Sequence, residues 1–155
     1  MRGIDPKEVR AFYEELHSIW PHEDQWHSYT RFSIINYLQK QTFNDNSLIL
    51  NAGSGGSHYG LKKDMVHADL AKNNLGTLKS SVVSSVECLP FLNEIFTDII
   101  CVGSVINYCD ALNVINEAHR VLRPSGRLIV EFDSSYGCAP WNSEAYKKDD
   151  YIVKQ

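Results

Sequence analysis

A glycine-rich segment and a later aspartate carry the chemistry that this sequence suggests most directly. Residues 51–57 read Asn-Ala-Gly-Ser-Gly-Gly-Ser, directly after the apolar run 48–50, and Asp69 follows Asn51 by 18 positions. Glycine lets a ligand approach the backbone closely, because it has no Cβ and adopts positive φ without steric penalty. A carboxylate about 20 residues beyond such a loop typically holds ribose hydroxyls. The spacing therefore predicts a site for a sugar-bearing ligand.

Two phosphate-binding patterns do not fit the same segment. A dinucleotide fingerprint that begins at Gly53 requires glycine at position 58, which is His58 here. The lysine of a P-loop is also missing, since no Gly-Lys-Ser or Gly-Lys-Thr follows the glycines. The segment therefore favours a nucleoside without phosphates and disfavours a nicotinamide dinucleotide.

Composition and charge exclude several classes of partner. The chain has 155 residues, of which 43% are hydrophobic and 22% charged, which is ordinary for one globular domain. The net charge is −4 and no basic stripe is present, so no nucleic-acid partner is predicted. The apolar run 99–106 is too short to span a membrane. The first residues lack the apolar core of a secretory signal, so we predict a cytoplasmic protein.

The cysteines and histidines predict no metal site. The four cysteines form no Cys-x-x-Cys pair and have no zinc-like spacing. Buried, reduced thiols in a cytoplasmic protein are the simpler interpretation.

Capping residues and apolar spacing predict three helices. Asp5 can cap a helix that begins at Pro6, and apolar residues at helical spacing continue that helix to position 20. A second helix is predicted over residues 24–40 and a third over residues 110–122. We interpret residues 1–44 as an N-terminal helical lid.

Short apolar segments predict five strands after this lid. An apolar run that enters a glycine turn, as at residues 48–50, is typical of a buried strand. Strands that alternate with helices or short crossovers predict an α/β domain with a mostly parallel sheet, here over residues 45–155. The predicted strands are 48–50, 65–68, 81–86, 98–102 and 127–132.

Four segments occur in an order that one protein family shares. Residues 48–55 form the apolar run and glycine turn, and residues 66–70 read Val-His-Ala-Asp-Leu. Residues 87–100 contain Leu-Pro-Phe followed by Phe-Thr-Asp, and residues 117–126 read Glu-Ala-His-Arg-Val-Leu-Arg-Pro-Ser-Gly. Together they resemble the class I S-adenosylmethionine-dependent methyltransferases, particularly the small-molecule branch. The resemblance covers residues 48–133. It implies a Rossmann-like fold, S-adenosylmethionine as cofactor and a small-molecule methyl acceptor.

The resemblance also implies roles for particular positions. Asp69 would accept hydrogen bonds from both ribose hydroxyls, and Leu70 would pack near the adenine. The turn 53–55 would meet the methionine part of the cofactor, residues 85–87 its adenine, and residues 103–104 would lie beneath the sulfonium. The implied cofactor-binding residues are Asn51, Gly53, Ser54, Gly55, Asp69, Leu70, Ser85, Val86, Glu87, Gly103 and Ser104, with Tyr29 and Arg31 closing over the cofactor carboxylate.

The chain departs from the family pattern at several places. Asn51 stands where the family usually has an acid, Ser57 where a third glycine is common, and Ser85 where an aspartate commonly contacts adenine. The family's sheet also adds two strands after the fifth, whereas this chain has only the tail 134–155. Strand 127–132 would then be an exposed apolar edge, which natural proteins avoid. We expect either a chain shortened at its C-terminus or a homodimer that pairs through this strand.

Two functions from different classes remain open at this stage. The first is a methyltransferase acting on a small molecule. The second is a truncated or degenerate cofactor-binding module of the same fold without catalytic activity, which the departures favour. Weak catalytic candidates at strand ends are Asn107 and Tyr108. Asp133, and His22 and His27 in the lid, are further candidates for a general base.

Overall fold

A five-stranded parallel sheet forms the centre of the fold in the computed structural model, which describes residues 5–16, 19 and 25–133. Its order is β3-β2-β1-β4-β5, and every neighbouring pair is parallel. The predicted α/β class, with about five mostly parallel strands, is confirmed. The strands are β1 (Ile49–Ala52), β2 (Met65–Asp69), β3 (Ser81–Val83), β4 (Phe96–Cys101) and β5 (Leu122–Val130).

Four α-helices and one 3-10 helix connect and cover these strands. They are α1 (Pro6–Glu15), α2 (Gln25–Gln39), α3 (Lys72–Leu75), the 3-10 helix Val105–Tyr108, and α4 (Ala111–Val121). As predicted, the Asp5 side chain caps α1 by accepting from the Lys7 amide at 2.9 Å. The helix ends at Glu15, earlier than predicted. The short α3 was not predicted, since four residues are too few for a periodic pattern.

Two strand boundaries differ from the sequence-based prediction by more than two residues, and the others differ by two or fewer. β3 ends at Val83, so residues 84–86 belong to the loop that follows it. β5 begins at Leu122, directly after α4, and not at position 127. The reason is an irregularity between β4 and β5. Leu122 pairs with Phe96 and Arg127 pairs with Asp98, so the residues between them bulge out without ending the pairing.

Helices cover both faces of the sheet, and strand alternation decides which residues face each helix. On one face, Ile34 and Leu38 of α2 share a buried cluster with Ile49 of β1. On the other face, Val114 of α4 shares a cluster with Leu50 of β1. Because both faces are covered, β1 is apolar on both sides except at one residue, Asn51.

Several predictions concern features at the margins of this fold. The outer edge of β5 pairs with no other strand among the described residues, and a homodimer through it stays a prediction. The division into a lid 1–44 and a domain 45–155 also stays a prediction. Within the described residues, no helix has the length and hydropathy needed to cross a membrane. Predictions about His22, position 20 and the tail 134–155 lie outside the described residues.

Candidate functional site

A cavity of about 290 Å³ lies at the carboxyl ends of the strands. The chain runs from β1 outward to β2 and β3, and it then crosses to β4 on the other side of β1. The loops after β1 and β4 therefore diverge, and open α/β sheets bind ligands in the crevice that this reversal creates. The volume is near the lower end of the roughly 300–1,000 Å³ that is typical of ligand pockets.

The cavity brings together many, but not all, of the residues singled out in the sequence. The predicted residues that line it are Gly53, Gly55, Asp69, Leu70, Ser85, Val86, Gly103, Ser104, Tyr108, His27 and Asp133. The predicted residues that do not line it are Asn51, Ser54, Glu87, Tyr29, Arg31 and Asn107. The lining residues that were not predicted are Val9, Tyr13, Ile19, Trp26, Thr30, Tyr59, Asn74, Ser84, Val102, Val105 and Cys109.

Asp69 joins β2 to the glycine turn after β1. Its Oδ2 accepts from the Gly55 amide at 2.7 Å, and its Oδ1 accepts from the Ala71 amide at 2.9 Å and from Asn74 Nδ2 at 3.2 Å. A carboxylate offers about four acceptor positions, so these three bonds leave about one, at Oδ2. Asp69 could therefore bind both ribose hydroxyls only if the side-chain amide of Asn74 moved away from Oδ1. The contact of Asp69 with the ribose stays a prediction.

The glycine turn is packed so closely that side chains would not fit at two positions. Gly53 has φ +69°, and a Cβ there would lie 2.6 Å from the Val105 methyl carbons. Gly55 has φ +52°, and a Cβ there would clash with the Ile19 side chain. Ile19 precedes α2 and lines the cavity. Sequence reasoning missed it because one isoleucine between two helices has no distinguishing pattern.

Asn51 supports the glycine turn from behind the cavity. Its side chain is fully buried, and Nδ2 donates to the Ser57 carbonyl at 2.8 Å. The acid that is usual in the family could not donate this bond when ionised, which gives a physical reason for asparagine here. Asn51 Oδ1 has no partner within the described structure, and neither does the buried Nε of Arg31. The roles of both residues in cofactor binding stay predictions.

Two glutamates bond to backbone amides around the site. Glu131 Oε2 accepts from the amides of Gly103 and Ser104 at 2.7 and 2.8 Å. Glu87 Oε1 accepts from the Asp110 amide at 2.6 Å, which turns its side chain toward the start of α4. The two amides after β4 are therefore already engaged by the protein itself. Glu131 was not predicted, because it lies just beyond a strand and belongs to no motif.

The cavity contains hydroxyl and thiol groups that stay protonated at neutral pH. Tyr13 and Tyr108 meet edge to face with ring centroids 6.1 Å apart. Burial, and then Tyr108, raises the pKa of Tyr13 well above its usual value. Burial, and then the neighbouring Glu87, raises the pKa of the Cys109 thiol to about 12. Tyr13 and Cys109 can therefore donate hydrogen bonds, but they are not bases at neutral pH.

The two weak catalytic candidates have different surroundings. Tyr108 lines the cavity and is 44% exposed. Asn107 Nδ2 donates to the Asp133 carbonyl at 2.9 Å, and its Oδ1 accepts from the Asp133 amide at 3.0 Å. Asn107 therefore holds Asp133 at the wall of the cavity. A catalytic role for Asn107 or Tyr108 stays a prediction.

A family model described as a methyltransferase domain matches residues 46–130, which is more than half of the chain. The chain belongs to this family. S-adenosylmethionine is the cofactor of these methyltransferases, and the class I fold implied by the resemblance is confirmed.

Two curated proteins are similar to this methyltransferase-family chain. The biotin biosynthesis bifunctional protein BioHC of Saccharophagus degradans is 31% identical over 124 residues, which cover 64% of this chain and 22% of that protein. An uncharacterized protein of Methanocaldococcus jannaschii is 28% identical over 142 residues. That match covers 80% of this chain and 60% of the Methanocaldococcus protein. The chain thus spans less than two thirds of either relative.

Solved structures show the same fold. A putative methyltransferase of Bacillus halodurans has a TM-score of 0.58 and 24% identity, and the match covers 74% of this chain and 55% of that one. Geranyl diphosphate C-methyltransferase of Streptomyces coelicolor, solved with S-adenosyl-L-homocysteine, has a TM-score of 0.59 and 12% identity, with coverage of 81% and 63%. At these identities the likeness concerns the fold.

Two features of this cavity are compatible with the cofactor of the family. The cavity lies at the reversal of strand order, as a nucleoside site of this fold requires. Asp69 keeps about one acceptor position, and Gly53 lines the cavity, with Val105 in the space where a Cβ would lie.

The family-like segment 117–126 has a structural role in this methyltransferase chain. Glu117 Oε2 accepts from the Leu89 amide at 2.7 Å. Arg120 donates to the carbonyls of Leu89 and Phe91 at 2.8 and 2.7 Å, and it pairs with Glu117 at 2.7 Å. Neither charged residue lines the cavity. The pair fixes the Leu-Pro-Phe segment against α4 and so positions the preceding loop 84–86.

Proposed function

We propose that this chain binds S-adenosylmethionine in the cavity between β1 and β4 and transfers its methyl group to a small-molecule acceptor. The arrangement of Asp69 carries the proposal. Its carboxylate is only 7% exposed, lines the cavity and is bonded to the glycine turn. Burying a carboxylate is costly unless its oxygens are bonded, so a buried carboxylate with an open acceptor position favours a hydroxyl ligand. A cytoplasmic location remains part of the proposal.

The residues of the chain would hold the cofactor and exclude water. Asp69 Oδ2 would accept from a ribose hydroxyl, the backbone at Gly53 would lie against the methionine part, and Val86 and Leu70 would enclose the adenine. The cofactor supplies a methyl group on a positively charged sulfur that is already activated for transfer. The main contribution of the protein is therefore orientation, which is worth about 7–11 kcal/mol in well-aligned reactions.

The charges at the wall favour a neutral or cationic acceptor. Among the described residues that line the cavity, Asp69 and Asp133 are carboxylates, and none is lysine or arginine. A phosphate or carboxylate acceptor would face these charges without a permanent cation beside it. Asn107 fixes the backbone of Asp133, and the Asp133 carboxylate would receive a proton from an acceptor that loses one.

Calorimetry and turnover test the proposal together. We expect S-adenosyl-L-homocysteine to bind the 155-residue chain, and we expect product formation with some members of an acceptor panel containing amines, phenols, carboxylates and phosphates. Amines or neutral acceptors are expected to turn over faster than anionic ones. The absence of binding by both S-adenosylmethionine and S-adenosyl-L-homocysteine would contradict the proposal.

A cofactor-binding module without catalysis is the second candidate. The observation that favours it is that the described sheet ends at β5, without the two further strands of the family pattern. Asn51 and Ser85 also stand where the family usually has acidic residues. Binding of S-adenosyl-L-homocysteine without turnover across the whole panel would favour this candidate over the enzyme.

A further inference from the structure

A single carboxylate fixes the loop that follows β4. Glu131, just beyond β5, accepts two hydrogen bonds at the same oxygen, Oε2, from the Gly103 amide at 2.7 Å and the Ser104 amide at 2.8 Å. Gly103 has φ +83° and Ser104 has φ +58°, so both residues are in the left-handed region. A residue other than glycine keeps this conformation only where its surroundings hold it. Glu131 therefore fixes the backbone conformation of this loop.

The direction of the two amides also decides the direction of two carbonyl groups. No cis peptide bond occurs among the described residues. In a trans peptide the N–H and C=O groups lie in one plane and point in opposite directions. Because the amides of Gly103 and Ser104 point at Glu131, the carbonyls of Val102 and Gly103 point away from it. No described residue donates a hydrogen bond to either carbonyl oxygen.

Glu131 and these two carbonyls lie on different sides of the loop. Glu131 lines a groove between α2 and β5, and it does not line the cofactor cavity. Val102 and Gly103 do line that cavity. The carbonyl oxygens that point away from Glu131 are therefore on the side of the loop that borders the cavity.

We propose, on the basis of the proposed function, that Glu131 is a positioning residue that presents the carbonyl oxygens of Val102 and Gly103 to the positively charged sulfur of S-adenosylmethionine. Fixed carbonyl dipoles stabilise a positive charge and need no reorganisation when it binds. The cavity wall adds the carboxylates of Asp69 and Asp133, and none of the described lining residues is lysine or arginine. The site is therefore expected to favour the charged methyl donor over S-adenosyl-L-homocysteine, whose sulfur is neutral.

This preference would assist turnover. The two carbonyls lose their attraction for the sulfur when the methyl group is transferred, because the electron pair of the broken bond stays on sulfur and neutralises it. Glu131 would thus help the site to release its product and to bind a new methyl donor. It would do so without contact with either ligand.

Calorimetry on the 155-residue chain tests this, with the ratio of the dissociation constants of the two ligands as the readout. Glu131→Ala removes the acceptor that holds both amides, so the two carbonyls lose their fixed direction. We expect the preference for S-adenosylmethionine over S-adenosyl-L-homocysteine to fall about two- to tenfold, which is the range for one polar contact. A merely structural role would lower stability, or weaken both ligands by the same factor, and leave the ratio unchanged.

Two further variants separate the direction of the carbonyls from charge and from stability. Glu131→Gln removes the charge but keeps an oxygen that can accept from both amides, so it should retain the preference of the unmodified chain. Asp98→Asn removes the charge of a buried carboxylate in β4 that bonds to Arg127 of β5 at 2.9 Å, and Asp98 does not line the cavity. It should lower stability without changing the ratio. A ratio that changes equally in Glu131→Ala and in either of these variants would overturn the proposal.

Nuclear magnetic resonance of the unmodified chain keeps the test valid if Glu131→Ala does not fold. We expect the carbonyl carbon shifts of Val102 and Gly103 to differ between the complexes with S-adenosylmethionine and S-adenosyl-L-homocysteine. The amides of Gly103 and Ser104 should stay protected from hydrogen exchange in both complexes. Equal carbonyl shifts in the two complexes would contradict the role of Glu131. Fast exchange of the two amides would contradict it as well, since Glu131 would then not hold them.

The binding data also separate this role from the proposed function. Binding of both ligands with the same ratio in every variant would contradict the role of Glu131 alone. A chain that binds neither ligand would contradict the proposed function and, with it, the role of Glu131.

Discussion

The Asp69 carboxylate accepts a hydrogen bond from the Gly55 amide at 2.7 Å and so joins the end of β2 to the turn after β1. The two features that the sequence marks as chemically informative are therefore in direct contact. One carboxylate oxygen both fixes the turn and borders the cavity. A change at Asp69 is consequently expected to affect folding and ligand binding together, and the two effects can be measured separately.

The first prediction concerns Asp69→Asn, which keeps the shape of the side chain and removes its charge. Hydrogen bonds to charged groups are worth about 1.5–3 kcal/mol, so we expect affinity for S-adenosyl-L-homocysteine to fall about 10–100-fold and stability to fall by a similar energy. Calorimetry measures the first and urea unfolding the second. Asp64→Asn, at an exposed aspartate next to β2, should change neither. Unchanged affinity in Asp69→Asn would place the ribose contact elsewhere.

The second prediction separates backbone strain from steric clash in the glycine turn. Gly53 and Gly76 both have positive φ, but a Cβ at Gly53 would meet Val105 at 2.6 Å, whereas a Cβ at Gly76 has nothing within 4 Å. Gly76→Ala should cost about 1–3 kcal/mol from strain alone. Gly53→Ala should cost about 1–3 kcal/mol more, because overpacking adds to strain. Urea unfolding of both variants measures the difference.

Val105→Ala tests the cause of that difference. In the Gly53→Ala background it should recover part of the lost stability, because it removes the methyl carbons that the new Cβ meets. The coupling between the two substitutions is read from a double-mutant cycle. Purely additive effects would show that Val105 does not restrict Gly53.

The third prediction concerns the ion pair between Glu117 and Arg120 in the family-like segment 117–126. Arg120 bonds to Glu117 and to the carbonyls of Leu89 and Phe91, so Arg120→Ala leaves several groups without a partner. We expect a loss of about 1.5–3 kcal/mol in unfolding free energy. Arg123→Ala, three residues later at an exposed site, should stay within about 0.5 kcal/mol. Equal effects of the two variants would contradict a specific role for Arg120.

The sequence predicts the local parts of this site better than the parts made by distant contacts. The turn after β1 and the position of Asp69 follow from residue types and strand alternation, which act over short stretches of chain. Glu131 reaches the amides of Gly103 and Ser104 only because β4 and β5 are neighbours, and Ile19 reaches Gly55 only through the packing of the N-terminal segment. No periodicity signals such contacts in one sequence.

Strand boundaries show the same limit. Proline, serine and glycine at 124–126 are typical of a break, yet β5 pairs with β4 on both sides of them. The extra residues of β5 between Leu122 and Arg127 bulge out opposite Phe96–Asp98 of β4, and Ser125 takes φ +65° within this bulge. The residue types at 124–126 therefore indicated an irregularity correctly. Whether the strand continued beyond it depended on the pairing of β5 with β4.

The last prediction concerns His67, which is 1% exposed in β2 and has no hydrogen-bond partner at either ring nitrogen among the described residues. Burial, and then the His58 ring at 4.7 Å between centroids, lowers its pKa from 6.5 to about 4. Between these values the unfolded chain binds a proton that the folded chain does not bind. With respect to His67, the free energy of unfolding therefore has its full value above pH 6.5. It should fall by about 3 kcal/mol as the pH decreases to about 4.

Other groups also titrate in that range, so the measurement is a comparison with His67→Leu. Leucine removes the proton-binding group, so the variant should lose less stability between pH 6.5 and 4 than the unmodified chain. Urea unfolding at several pH values gives both curves. If the curves run parallel, His67 is protonated equally in the folded and unfolded chains, and its burial does not disfavour the charged ring.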